Sequence, residues 1–214
     1  IGQYDETRLA TDEVASLRSL SRYLQSLRGM VAELKTQCIC LMDAHFPEYA
    51  GIFSDMFGAG SRAVLSRSPL PFELARRRPD SLARDIAEAS KRPGKAAGYA
   101  AEIKAAAKSS IGVRLGQEAA SFQIKSLIRQ IEFAGSECEK VEAMVRSLLD
   151  EVEPLVLTIP GVSYVTGAQI VSEIGDVSRF RNASALVSYA GLNSSVSQSG
   201  KFDSGGGPIT KHGS

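Results

Sequence analysis

A segment rich in serine, glycine and basic residues lies at residues 192–214. The segment holds six serines among glycines such as Gly200, whose missing side chains would let a phosphate approach the backbone: Ser194, Ser195, Ser197, Ser199, Ser204 and Ser214. A serine hydroxyl can attack a phosphodiester once a base or a metal activates it. The cations that could hold the phosphate are Lys201, Lys211 and His212. By composition alone, the same segment is also typical of a flexible linker.

A Pro-Gly pair, Pro160 and Gly161, precedes a stretch of apolar residues at helical spacing. Proline fixes φ and glycine accepts a positive φ, so the pair predicts a tight turn. Ser163 or Thr166 can cap the next helix, whose N-terminal amides could bind a phosphate. The pattern predicts a helix-hairpin-helix that binds nucleic acid through Gly161 and Ser163. An ordinary helical corner without a ligand is the alternative.

Helix signals continue after this turn. Apolar residues at helical spacing over 165–174 predict a helix that ends at Gly175. Asn182 and Gly191 are a suitable N-cap and a suitable terminator for a second, shorter helix.

Residues 62–114 are strongly basic, with twelve lysines and arginines against five acids, although the whole chain has a net charge of only +1. Cations near turns suit backbone phosphates, because binding there releases counterions. The clustered cations are Arg76, Arg77, Arg78, Lys91, Arg92 and Lys95. We expect this region to form short helices, near Asp80 and over 96–107, that bind DNA or RNA. A solvated charged face without a ligand is the alternative.

Two proline-free segments repeat apolar residues with heptad spacing, which predicts two long helices in a left-handed coiled coil. The first seam comprises Leu17, Leu20, Leu24, Leu27, Val31, Leu34, Cys38 and Leu41. The second comprises Ile124, Leu127, Ile131, Ala134, Cys138, Val141, Val145, Leu148, Val152 and Leu155. The seams flank the basic insertion, so an antiparallel hairpin arm is the economical arrangement. Pairing between chains would satisfy the same pattern.

Several blocks of the chain occur in the order and at the spacing of a known family. They are residues 159–162 (Ile-Pro-Gly-Val), 173–176 (Glu-Ile-Gly-Asp), Phe180, 189–192 (Tyr-Ala-Gly-Leu), 199–200 (Ser-Gly) and 207–214 (Gly-Pro-Ile-Thr-Lys-His-Gly-Ser). Together they resemble the C-terminal transposase domain of the IS-one-ten (IS110) insertion-sequence family, which includes the Piv-type DNA invertases. Residues 5–11 resemble the family's exit from its acidic domain, and residues 68–75 and 97–112 resemble its middle region.

The resemblance implies a DNA transposase or recombinase guided by an RNA that the element encodes. In the family, an N-terminal RuvC-like domain holds a divalent metal (Mg²⁺) through acidic ligands, and a serine before a glycine is the nucleophile. That serine corresponds to Ser199, with Ser197 as its competitor. The partners implied are DNA, guide RNA and further copies of the chain, which the coiled coil would join. No metal ligand is expected in this chain.

We therefore expect a mainly α fold. It comprises a first coiled-coil helix and exit segment (1–57), a basic helical insertion (58–112), a second coiled-coil helix (113–156) and a truncated transposase domain (157–214). With three cysteines and two histidines we expect no zinc site, and this usage suits a reducing cytoplasm. No apolar stretch is long enough for a membrane span. A non-catalytic, DNA-binding coiled-coil scaffold is the alternative function.

We expect the acidic domain that holds the metal in the family to lie upstream of this sequence, and a serine hydroxyl is a weak nucleophile without activation. We expect the purified chain alone to leave DNA uncut. A nicking assay on supercoiled DNA with and without Mg²⁺ checks this expectation, and metal-dependent cleavage would contradict it.

Overall fold

The computed structural model describes residues 11–90, 93–152 and 155–192, together with the backbone of two short strands in the C-terminal segment. The described chain is mainly helical, which confirms the predicted fold class. The α-helices are α1 (Asp12–His45), α2 (Ala59–Leu65), α3 (Pro71–Arg76), α4 (Pro79–Ala89), α5 (Ala96–Ser109), α6 (Gln117–Val152), α7 (Tyr164–Ile174) and α8 (Ala183–Tyr189). Short 3-10 turns occur at Pro47–Gly51, Pro93–Lys95, Leu155–Thr158 and Val177–Arg179. The strands β1 (Gln198–Ser199) and β2 (Phe202–Asp203) form an antiparallel pair.

Helix α1 begins and ends where its sequence dictates. The Thr11 side chain accepts a hydrogen bond from the Val14 N–H, and Asp12 and Glu13 complement the positive end of the helix dipole. Pro47 follows the last turn and begins a 3-10 turn. A helix of 34 residues is longer than most in globular proteins, so its stability depends on the surface against which it packs.

Helices α1 and α6 lie antiparallel along one buried seam. Near the start of α1, Leu17 and Leu24 belong to the same buried cluster as Leu149 near the end of α6. Near the end of α1, Cys38 shares a second buried cluster with Ile124, which lies near the start of α6. The antiparallel arrangement agrees with the sequence prediction; the supercoil of a coiled coil stays a prediction.

The predicted seam is wrong at its last position. Leu155 is 84% exposed and lies in a 3-10 turn after α6. Pro154 precedes it in the sequence and cannot continue a helix. At the other end of the hairpin, Met42 is buried in the core while the predicted Leu41 is only partly buried.

The basic insertion shares a core with the end of α1 and the start of α6, which together form the distal end of the hairpin. Leu65, Leu74, Leu82 and Ile103, which come from α2, α3, α4 and α5, are all fully buried in the cluster that holds Cys38. Burial raises the pKa of the Cys38 thiol to about 11, so the thiol stays protonated and serves as a small apolar group. The helices predicted near Asp80 and over 96–107 are confirmed as α4 and α5. Helices α2 and α3 were not anticipated.

A close backbone crossing fastens the insertion to the end of α1. The Val113 N–H donates to the Ala44 carbonyl over 2.9 Å. A Cβ at Gly112 would lie 2.1 Å from the His45 carbonyl oxygen, so the crossing requires glycine. Glu48 accepts hydrogen bonds from the Ser110 hydroxyl (2.7 Å) and the Ile111 N–H (2.9 Å).

None of the helices that the structure describes combines the length and the apolar character that a bilayer span needs.

Candidate nucleic-acid interface

Helix α7 packs closely on the proximal end of the α1–α6 hairpin, which the start of α1 and the end of α6 form. Ala168 is fully buried in the cluster that contains Leu17 and Leu149. A Cβ at Gly167 would lie 2.8 Å from Leu157 Cδ2, so glycine allows the turn before α7 to approach the helix. The small residues on this face therefore fix the position of α7 against the long helices.

Two arginines of α1 bind the C-terminal end of α7. Arg18 Nε donates to the Ser172 carbonyl over 2.9 Å, and a second guanidinium nitrogen donates to the same oxygen. Arg22 forms an ion pair with Glu173 at 2.9 Å. Cations are favourable at a helix C-terminus, where the last carbonyls lack partners within the helix.

The predicted turn and cap before α7 are present. Gly161 has a φ of +87° and is exposed. Ser163 is the N-cap, and its hydroxyl oxygen accepts the Thr166 N–H over 3.2 Å, so Ser163 and not Thr166 caps the helix. The element before the turn is the 3-10 turn Leu155–Thr158. The helix-hairpin-helix assignment and its phosphate contacts stay predictions.

Helix α8 has both of its predicted ends. Asn182 Oδ1 accepts the Ala185 N–H over 2.9 Å. Gly191 has a φ of +70°, and the Leu192 N–H donates to the Val187 carbonyl over 3.0 Å, as in a Schellman C-cap. The Tyr189 hydroxyl donates to the Glu173 carbonyl over 3.2 Å, which attaches α8 to α7.

The candidate nucleophile Ser199 lies in β1, and its backbone is paired with Phe202 of β2. The two paired positions on each strand are Gln198 with Asp203 and Ser199 with Phe202. Four other predicted site residues lie outside the described residues: Ser197, Lys201, Lys211 and His212.

The predicted cations of the insertion have different environments. Arg76, Arg78 and Lys95 are exposed. Arg77 is half-buried and pairs with Asp85 at 2.5 Å, and it also donates to the Ser81 hydroxyl over 2.9 Å. The remaining two, Lys91 and Arg92, lie outside the described residues.

Asp85 is the centre of a small ionic cluster. Its carboxylate is almost fully buried and also pairs with Arg67. Burial alone would raise the pKa of Asp85, but the hydrogen bonds and charges of Arg77 and Arg67 outweigh it and lower the pKa. Lys104 also stabilises this part of the insertion, since its ammonium donates to the Leu74 carbonyl over 2.8 Å at the end of α3. Arg77 therefore has a structural role that the sequence did not reveal.

Cations beside aromatic rings were also missed from the sequence. The Arg146 guanidinium lies 4.4 Å from the ring centre of Tyr164, the first residue of α7. Arg179 lies over the rings of both Phe180 and Tyr189. In the sequence, these contacts of Arg179 are indicated only by its adjacency to Phe180, because Tyr189 is distant.

The described part of the chain brings together no group of three or more His, Cys, Asp or Glu side chains that could hold a metal ion.

Residues 153–214 match the family model described as Transposase IS116/IS110/IS902 family. The resemblance is confirmed for this segment. The matched residues include the Gly161 turn, α7, α8 and both candidate serines. No curated protein sequence and no solved structure matches the chain.

The buried carboxylate of Asp85 predicts a specific stability defect. Asp85→Asn should lower the free energy of unfolding by about 1–3 kcal/mol, because Arg77 loses its charged partner in a half-buried position. Chemical denaturation measures this change. Glu88→Gln, at an exposed position of the same helix, is the control and should change stability by less than about 0.5 kcal/mol.

The same pair predicts a pH dependence. Because the folded pKa of Asp85 lies below its unfolded value, its contribution is complete above about pH 4 and is lost as the pH falls through the folded pKa. Asp85→Asn should therefore lose less stability than the wild type over that acidic range. Equal losses in the two proteins would contradict the assignment.

Proposed function

We propose that the intact protein is a DNA transposase or site-specific recombinase that cuts and rejoins DNA strands through Ser199, guided by an element-encoded RNA. The observation that carries the proposal is the transposase family match over 153–214, which includes Ser199. The match supports a transposase function; the serine nucleophile and the RNA guide are our proposals. Ser197 is the alternative nucleophile.

The proposed chemistry is transfer of a phosphoryl group to serine. The Ser199 hydroxyl oxygen would attack the phosphorus of a DNA phosphodiester and form a phosphoserine ester, as its proton passes to a base. The bond to the leaving sugar oxygen breaks, and that oxygen takes up a proton. Attack by a different DNA hydroxyl then reverses the chemistry and rejoins strands. A divalent metal in an acidic domain outside this chain would stabilise charge on the phosphate.

Several residues could position nucleic acid around this reaction. The turn at Gly161 and Ser163 presents backbone amides at a helix N-terminus, where a phosphate binds favourably. We assign phosphate contacts in the C-terminal segment to Lys201, Lys211 and His212. In the insertion, exposed cations such as Arg76, Arg78 and Lys95 would bind the guide RNA or the DNA. We place the protein in the cytoplasm, where its cysteines remain reduced.

The alternative is a non-catalytic scaffold that binds DNA through the Gly161 turn and the basic insertion. In that case the serines of the C-terminal segment carry no chemistry. Charge reversal at Arg76 and Arg78 would then be more damaging than removal of the Ser199 hydroxyl.

A covalent adduct distinguishes these functions. We expect the complete protein, with its RNA, Mg²⁺ and a nicked DNA target that traps intermediates, to carry a nucleotide on Ser199 after digestion and mass spectrometry. Ser199→Ala should abolish recombination with DNA binding retained, and Ser197→Ala is the matched control. An adduct on Ser197 would move the nucleophile. Absence of any adduct, with DNA bound, would favour the scaffold.

We also propose that the α1–α6 hairpin joins two copies of the chain. Phe122 and Phe133 are each 70% exposed and Met144 is 54% exposed. Their spacing of eleven residues places them on one stripe of α6, because eleven residues make about three whole turns. Met30 of α1 is also exposed and borders the same groove as Phe133. A second copy would bury this apolar face in a larger helical bundle.

The dimer predicts a concentration-dependent mass that depends on this stripe. Phe122→Ser with Phe133→Ser should shift the complete protein toward monomer in analytical ultracentrifugation, because two large apolar contacts are lost from each copy. Tyr23→Ser, at another exposed position of the hairpin, is the control. A monomeric wild type at all concentrations, or an unchanged dimer in the double variant, would contradict the proposed face.

A further inference from the structure

The loop between α7 and α8 contains an arginine that two aromatic rings hold. The guanidinium carbon of Arg179 lies 4.7 Å from the ring centre of Phe180 and 4.4 Å from that of Tyr189. The two rings meet edge to face, with centres 5.2 Å apart and planes at 63°. A cation over two ring faces is attracted by both, and its side chain loses much of its rotamer freedom.

The aromatic support is itself fixed to α7. The Tyr189 hydroxyl donates to the Glu173 carbonyl over 3.2 Å, so one ring is tied to the end of that helix. Arg22 of α1 pairs with the Glu173 side chain at 2.9 Å. Arg179 is therefore connected to the long hairpin through Tyr189 and Glu173.

Within the part of the chain that the structure describes, the charge of Arg179 has no ionic partner, unlike the charges of two arginines of α1. Arg22 and Arg28 each pair with a glutamate, whereas no carboxylate among the described residues is paired with Arg179. Arg179 is exposed, and so is Arg181 two positions further on. An arginine held over aromatic rings keeps N–H donors at the edges of its guanidinium plane, which match a phosphate.

We propose that Arg179 binds a backbone phosphate of the DNA strand on which the C-terminal segment acts, with Phe180 and Tyr189 as its positioning residues. This inference rests on the proposed transposase function, since it identifies a DNA contact for that site. It adds to the cations selected from sequence, which lie in the basic insertion or after β1. Because the rings fix the guanidinium before DNA arrives, less side-chain entropy is lost on binding.

The test uses the complete protein with its RNA and a fluorescent DNA duplex that carries the element's end sequence. Binding constants are measured over a series of salt concentrations. Arg179→Gln should weaken binding roughly tenfold or more and reduce the magnitude of the salt slope by about 0.9, the loss of one phosphate contact. Arg28→Gln removes the same charge from an ion pair with Glu142 and should change neither quantity.

Two further variants separate charge from position. Arg179→Lys keeps the cation but loses the planar fork, so we expect the wild-type salt slope with binding weakened several-fold. Phe180→Leu keeps Arg179 but removes one ring, and it should give the same pattern. Thermal unfolding of each variant checks the fold. If Arg179→Gln unfolds, the affinities of Arg179→Lys and Phe180→Leu decide, and wild-type affinity in both overturns the proposal.

The remaining outcomes are equally decisive. A salt slope and affinity for Arg179→Gln that equal those of Arg28→Gln overturn the DNA contact. A defect in binding the guide RNA, with DNA binding of the assembled complex unchanged, also overturns it. If Arg179→Gln weakens DNA binding as expected but neither Ser199 nor Ser197 carries a nucleotide, the phosphate contact is supported and the serine mechanism is contradicted. A wild type that binds no DNA overturns both proposals.

Discussion

The burial of one apolar face of α1 against one face of α6 is the constraint on which the rest of the structure depends. Each of these helices is so long that its stability depends on contact with the other helix along much of its length. Side chains such as Leu24 and Ile124 are almost completely buried, and each such burial contributes about 1.5–3 kcal/mol. The antiparallel hairpin has two ends, and a separate buried cluster lies at each of them.

The proximal end determines where the segment with the family match is attached. Gly167 and Ala168 allow α7 to approach closely, and Arg18 hydrogen-bonds the last turn of α7. Apolar contact sets the separation of the helices, whereas the arginine contacts fix which end of α7 meets α1. The Gly161 turn, at the other end of α7, is left exposed as a result.

At the distal end of the hairpin, the positive charge of the insertion opposes its folding. A region with an excess of cations must fold around a core, and its self-repulsion opposes compactness. Asp85 reduces that repulsion locally, since its buried carboxylate pairs with both Arg67 and Arg77. Other cations of the insertion, such as Arg76 and Arg78, stay exposed. The net positive charge of the insertion is thus compatible with both a stable core and a nucleic-acid surface.

The sequence by itself determined the features that depend on neighbours in the chain. Heptad spacing predicted both long helices, and Ser163, Asn182 and Gly191 marked helix ends correctly, because capping hydrogen bonds span only a few residues. The ordered blocks around α7 and α8 likewise indicated the family.

Only the tertiary structure decided which polar groups have partners. Arg77 and Arg78 are adjacent in sequence, yet Arg77 pairs with Asp85 while Arg78 is exposed. The rings around Arg179 meet because α8 returns to α7, and no local pattern records that contact. Ion pairs and ring contacts join residues that folding brings together, so their identity follows from packing rather than from residue type.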